Sequence, residues 1–449
     1  DFYDQLLKLE KENKNGIWAR FLKNSFAPMI AGKFDFVVGN PPWIRWDYLS
    51  QSYRDATLQL WKDYGLFSLS GFQTRLGGGK KDFSMLFVYA ASDYYLKDGG
   101  KLGFLITQEV FKSKGAGEGF RRFRYGEDKF LKVIKAHDLV SIQPFEGAAN
   151  KTAAIILIKG EKNEYPIPYF VWTKKKGVGK ITADKLLDEV SPLLQRKKYY
   201  AKPIGSIVGA WQTLPAGLEE LSEIEGKNPY KAILGANPNP YGVFWLEVKQ
   251  VLSNENIIIR NLPEKGKLKI PQVEETIEQD LVYPAIRGSD ISRWGINPRI
   301  FMLVVQDPKT RRGYSEVFMR KNYPRTYSYL LQFKDVLLSR PLYKKYHEQA
   351  KAPFYSQFNI ATETFTPYKV VWKRMTNDLI ATVISSSKTP FGYKTIVPLE
   401  TTAIMFTNNE FEAHYLCAII NSTPVRDFIK SFSSAGRGFG TPSVMEHVG

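Results

Sequence analysis

Between Phe34 and Trp43 the chain reads Phe-Asp-Phe-Val-Val-Gly-Asn-Pro-Pro-Trp. Phe34–Gly39 is a short, almost wholly apolar run, the pattern of a buried strand in a parallel sheet. Two consecutive prolines then forbid continuation, because each fixes φ and neither has an N–H to donate to a ladder. The strand must end at Asn40, in a stiff turn at the carboxyl edge of its sheet, where open α/β sheets bind ligands. Asn40 brings an amide oxygen, a strong acceptor. The proline carbonyls face outward unpaired, and Trp43 adds a flat apolar plate. Two acceptors beside a stacking surface suit an exocyclic amino group on a planar heterocycle. They would take the N–H₂ protons, draw the nitrogen lone pair out of conjugation and make the amine nucleophilic without a strong base. Aromatic pockets of this type serve enzymes that turn a base out of the duplex before acting on it.

Downstream, residues 82–97 carry apolar side chains at helical spacing and stop at Gly99-Gly100. Strands are predicted at 101–107, 131–139 and 152–158, with a short basic helix over 120–124. Strands alternating with helices predict an α/β fold with a parallel, doubly wound sheet and an antiparallel strand at its end. Gly115, Gly117 and Gly119 lack the spacing and the later acidic residue of a nucleotide-binding turn, so they read as a mobile loop. Gly77-Gly78-Gly79-Lys80-Lys81 lacks the Ser/Thr of a phosphate-binding loop and reads as a flexible basic loop.

The segment FDFVVGNPPW resembles the catalytic strand and loop of the gamma-class N6-adenine DNA methyltransferases, and is most similar to the single-chain type IIG restriction–modification enzymes. The resemblance implies that the Asn40 side-chain oxygen and the Pro41 carbonyl accept from adenine N6, while Trp43 stacks on the flipped base. It sets Pro42 against the methyl donor, S-adenosylmethionine, and makes Phe145 a second aromatic on the target base. Tyr or Phe is usual in the family where Trp43 stands. The fold implied is a methyltransferase (Rossmann-like) sheet. In the gamma arrangement a glycine-rich cofactor turn precedes the catalytic loop. The 39 residues before Asn40 contain only a polar helical stretch, 1–13, so the main S-adenosylmethionine motif is absent and a fragment of a longer protein is expected. Ser433–Gly440 is glycine-rich but follows a charged helical stretch and does not replace it.

From Lys202-Pro203 the texture changes to Pro, Gly, Tyr and Trp among short strands, such as 242–248 and 282–291, with helices at 321–347 and 411–432. Two domains follow: 1–200, the C-terminal part of a catalytic domain, and 201–449, an α+β domain. The second resembles the target-recognition domain of type IIG enzymes in the stretches 283–294, 367–374, 409–422 and 436–444.

A formal charge of +18 spread along 449 residues, with 14% aromatic residues, favours a polyanionic partner and leans toward nucleic acid, which the resemblance makes double-stranded DNA. Candidate phosphate or base contacts are Lys80, Lys81, Arg121, Arg122 and Arg124 in the first half and Arg287, Arg293, Arg340, Lys373, Arg374 and Arg437 in the second. Four scattered histidines give no metal site, and no apolar run has the length of a membrane span. Lone Cys417 in an apolar helical run suits a reducing cytoplasm, and nothing in the sequence signals an oligomeric state. Other readings are a non-catalytic DNA-recognition module and an N-methyltransferase of RNA or protein, because the acceptor pair suits any planar amine. Glu247-Val248-Lys249 has the acidic-x-Lys form of a nuclease strand but no Asp suitably upstream, so a type IIG nuclease would lie outside this chain.

Overall fold

The computed structural model describes residues 2–67, 81–113, 115–145, 150–182, 184–217, 219–266, 268–433 and 439–449; for 2 and 15–19 the backbone alone is described. It is a mixed α/β structure of two compact units, Asp1–Glu219 and Glu220–Gly449.

The first unit is built on seven strands: β1 (Phe34–Gly39), β2 (Leu96–Thr107), β3 (Leu131–Asp138), β4 (Thr152–Lys159), β5 (Ile167–Lys174), β6 (Leu194–Pro203) and β7 (Trp211–Pro215). Their order in the sheet is β1-β2-β4-β3-β5-β6-β7. β1 pairs parallel with β2, and β3 parallel with β5. β4 is antiparallel to both its neighbours, β2 and β3. β6 is antiparallel to β5 and β7 to β6, so the sheet ends in antiparallel strands as anticipated, and β4 is a further one, inserted between β2 and β3. β1, β3 and β5 all finish at one edge of the sheet, which β2 also reaches with Thr107. A boundary at residue 200 would cut β6, and the sheet runs on to Pro215.

Helices α1 (Phe2–Lys11) and α2 (Asn15–Ile30) precede β1; α3 (Gln51–Asp63), α4 (Ser84–Tyr95) and α5 (Glu109–Lys112) follow it. Ser50 caps α3 by accepting from the Tyr53 N–H. α4 stops at Tyr95, four residues before Gly99, because Leu96 already enters β2 opposite Phe34. Residues from α3, α4 and α5, among them Trp61, Val88, Tyr89 and Phe111, pack with Leu102, Ile155 and Tyr169 in one apolar core.

The expectation of a buried β1 needs correction. The strand is parallel, but it is the edge of the sheet, and Phe36 and Val38 are 72% and 82% exposed; only Val37 packs on the core. An apolar run signals a hydrophobic strand and cannot say whether both faces are covered. Gly115–Gly119 is likewise no mobile loop. A Cβ on Gly119 would sit 2.7 Å from the Gly65 carbonyl oxygen and one on Gly117 2.4 Å from that of Val110, so glycine here permits close backbone packing. The basic helix after it is a single 3₁₀ turn, Phe120–Arg122, ended by Phe123 in the left-handed region.

In the second unit a six-stranded sheet runs Glu274–Glu278, Asn256–Asn261, Trp245–Val251, Ile300–Leu303, Val282–Ile286, Val397–Pro398. A four-stranded sheet is centred on Tyr368–Lys373 and Thr402–Thr407. The helix anticipated over 321–347 is divided, with new helices starting at Pro324 and Pro341, where proline lacks the donor an ongoing helix needs. That over 411–432 is divided at Ser422, which caps the second piece at the Val425 N–H. Glu247 and Lys249 lie on Trp245–Val251, paired with each other, and Glu247 also meets Arg260.

β7 is tied to the first core by Trp211, fully buried and stacked on Phe111 at 4.3 Å and 6°. Trp211→Ala is therefore expected to lower the stability of the first unit by about 3–5 kcal/mol. Urea unfolding of the chain followed by circular dichroism checks this; a change below about 1 kcal/mol would detach β7 from the core.

Candidate active site at the edge of the first sheet

β1 ends at Gly39, where a Cβ would lie 3.1 Å from the Phe104 ring on β2. The chain then runs irregularly from Asn40 to Ile44. Asn40 and Pro42 are exposed, Pro41 is buried and Trp43 is half-buried. The Trp43 indole N–H donates to the Leu105 carbonyl of β2 at 3.2 Å. The Asn40 side chain makes no hydrogen bond among the described residues, so its amide oxygen is available to a ligand. Two backbone bonds strap the loop to residues 81–83: Trp46 N–H to the Lys81 carbonyl and Phe83 N–H to that of Ile44, both 2.8 Å. Trp46 is held in turn against Trp61 and Phe67, with edge-on ring contacts of 5.3 and 5.2 Å.

Trp43 and Phe145, which lie 102 positions apart, are brought together with centroids 5.2 Å apart at 78°, an edge-to-face pair. Asn150 donates from Nδ2 to the Trp43 carbonyl at 3.4 Å. Sequence reasoning missed Asn150, whose only local signal is a polar residue just before β4. It also missed Asp82, buried at the start of α4, which accepts from the Ser84 N–H at 2.9 Å and from its hydroxyl. Burial pushes the Asp82 carboxyl up, and those hydrogen bonds oppose the shift. The ends of β2 and β3 are pinned together by Asp138, which accepts from Gln108 Nε2 at 2.8 Å and from the Tyr169 hydroxyl at 2.9 Å.

Several cations proposed to meet DNA lie inside the fold. Arg121 is 2% exposed and gives its donors to the carbonyls of Val208, Val110 and Ser113 at 2.6–2.9 Å. Arg340 is 3% exposed and is consumed in the same way by Leu337, Asn239, Ser356 and Phe354. Burial lowers both guanidinium groups to about 10. Lys81, also 2% exposed, points Nζ at the Ala116 carbonyl and over the Phe67 ring. A charge needs partners where water is absent, and backbone carbonyls supply them here. None of the three presents its charge to a phosphate. Arg122 is exposed but donates to the Tyr64 carbonyl at 2.8 Å, and Arg124 is exposed beside Phe130. Lys80 and Arg437 lie outside the described residues.

In the second unit Arg287 forms a two-pronged pair with buried Asp290, both contacts 3.1 Å, and lies over Trp245. Arg374 donates to the Glu400 carbonyl at 2.8 Å, and Lys373 adjoins it half-buried on its strand. Arg293 is exposed beside Trp294, at the tip of the hairpin joining Ile291–Ser292 to Gly295–Ile296. Among the described residues no group of three or more His, Cys, Asp or Glu could hold a metal. No helix there is long and apolar enough to cross a membrane. Cys417 is buried, and burial raises its thiol to about 11. Of residues that would hold S-adenosylmethionine, Pro42 is present and exposed. The described stretch before β1 is helical, with no strand followed by a glycine turn.

Residues 2–143 match the Eco57I restriction-modification methylase family. The Type II methyltransferase M.HincII of Haemophilus influenzae is 29% identical over 131 residues, 29% of this chain and 23% of that protein. M.HindII, from Haemophilus influenzae strain Rd, has the same identity over the same length, 22% of its chain. Among solved structures the type IIL restriction-modification enzyme MmeI, in complex with DNA, aligns with 90% of this chain and 44% of its own, with a TM-score of 0.50 at 10% identity, a likeness of fold. The matches thus span under a quarter of the Haemophilus proteins and under half of the MmeI chain.

Burial lowers the Lys81 ammonium from the ordinary 10.5 to about 8, nearby Arg121 adding to the shift and Glu118 opposing it. Between about pH 8 and 10.5 the unfolded chain keeps a proton that the folded chain has released, so stability should rise with pH across that window. Lys81→Met is expected to flatten the rise relative to wild type in urea unfolding at the two ends of the window. The same pH dependence in both proteins would refute the assignment.

Proposed function

We propose that this chain, whose residues 2–143 match the restriction-modification methylases, carries the target-base half of a DNA adenine-N6 methyltransferase active site. One observation carries the reading: Asn40 stands exposed, its amide uncommitted, on a strapped loop beside the paired rings of Trp43 and Phe145. In this reading a flipped adenine lies against Trp43, with Phe145 bordering the same space. The Asn40 Oδ1 and the Pro41 carbonyl accept the two N6 protons. Accepting them localises the lone pair on N6, where it can attack an electrophilic methyl group. Because the loop is fixed by prolines, two backbone bonds and the indole anchor, the acceptors need no reorganisation when charge develops on nitrogen, the condition under which fixed dipoles are most effective.

S-adenosylmethionine is the methyl donor this reading requires. Pro42, exposed on the same loop, would lie against it. The second unit would then read the target sequence. Arg293 and Lys373 are the most available of its candidate groups, while Arg287 and Arg374 are committed to Asp290 and to the Glu400 carbonyl.

Asn40→Ala in the full-length protein is expected to reduce methyl transfer to duplex DNA by about 10²- to 10³-fold or more, with DNA affinity changed less than about threefold. Transfer of labelled methyl from S-adenosylmethionine and a parallel binding titration measure the two quantities. Turnover like that of wild type would overturn the active-site assignment.

A further inference from the structure

We propose that the face of the first sheet turned away from its core, across β3, β5 and β6, is a second DNA-contact surface that grips the phosphate backbone of the duplex through cations laid on aromatic rings. Side chains alternate along β5. Tyr169 and Val171 join the core, while Phe170 and Trp172 point to the opposite face and belong to none of the apolar clusters among the described residues. The cross-strand register places Lys198 opposite Phe170 and Arg196 opposite Trp172. The Arg196 guanidinium lies 4.9 Å from the Phe170 ring centre and 5.7 Å from that of Trp172, and Lys198 Nζ lies 4.9 Å from the Tyr200 ring. On β3, His137 stacks on Phe170 at 5.2 Å and accepts the Trp172 indole proton on Nδ1 at 3.0 Å. Burial, helped by Lys135 and Arg196, holds His137 down to about 4, so it is a neutral spacer locking the rings.

The strip is built to present positive charge. Arg196 and Lys198 are exposed on it, as is Lys135 on β3, and residues 171–203 hold nine Lys or Arg against three carboxylates. A guanidinium held over a ring can still offer N–H groups to phosphate oxygens, and it loses little conformational freedom on binding. Because the rings are already occupied by cations, base stacking is disfavoured, and the contact is to backbone phosphate without base discrimination. Position supports the same partner. β5 ends, with Lys174, Lys175 and Lys176, at the sheet edge that carries Asn40. Four ladder steps separate β1 from β5, roughly 19 Å, the length of roughly six base pairs of duplex.

The inference rests on DNA being the partner of the loop at Asn40, and the test separates the two claims. Binding of the chain to a duplex of random sequence is titrated over a series of salt concentrations. Wild type is expected to show a steep loss of affinity with salt, and Arg196→Ala/Lys198→Ala a log–log slope shallower by roughly 1.8, about 0.9 per phosphate contact removed. Arg196→Lys/Lys198→Arg should keep the wild-type slope. An unchanged slope in the alanine variant, with wild type binding steeply, overturns the surface alone. Failure of wild type to bind duplex at all overturns the surface and the DNA reading together.

Discussion

The parallel pairing of β1 with β2 is the interaction on which the site depends. Val38 opposite Gly103 and Gly39 opposite Phe104 fix where the strand ends, and so where Asn40 emerges. Beyond that point the prolines can donate nothing to a ladder, and the loop is held by other means: the Trp43 indole on Leu105 and the short pairing of residues 44–46 with 81–83. Those bonds leave the Asn40 amide uncommitted. A site that must accept protons from a ligand needs acceptors that the fold has positioned and not consumed.

Charge in this protein is sorted by what each cation touches. Arg121 and Arg340 are core components whose guanidinium donors end on carbonyl oxygens, joining segments far apart in sequence, such as Arg121 to Val208. Losing either would strand several carbonyls and leave a gap in the packing. Arg196 and Lys198 are held by rings instead, on the open side of a strand, where their charge faces solvent. A net charge of +18 is therefore an imperfect guide to the binding surface.

The sheet is asymmetric. α3, α4 and α5 contribute to the core on one face, together with Tyr169 and Val171. The other face carries exposed Phe36 and Val38 at β1 and the ring-and-cation strip at β5 and β6. A bare apolar edge strand templates further pairing; a cationic strip repels like charge and attracts polyanions. The two halves of that face thus differ in the partner they suit.

Much of the architecture could be read from local sequence. The strand–proline turn at Asn40, the strands near 101–107, 131–139 and 152–158, and the change of texture in the second half all rest on patterns a few residues long. Chemical types at the candidate site were legible for the same reason: Asn40, the prolines and Trp43 are contiguous. What the sequence could not fix is whatever depends on contacts between distant segments. The nearness of Phe145 and Asn150 to Trp43, the burial of Arg121, Lys81 and Arg340, and the exposure of β1 are set by strand order. The inserted, antiparallel β4 begins at the edge where β1 ends, which is where Phe145 and Asn150 meet Trp43. Periodicity reports which face of an element is apolar; which faces meet, and which cations are left facing water, is decided only when the strands pair.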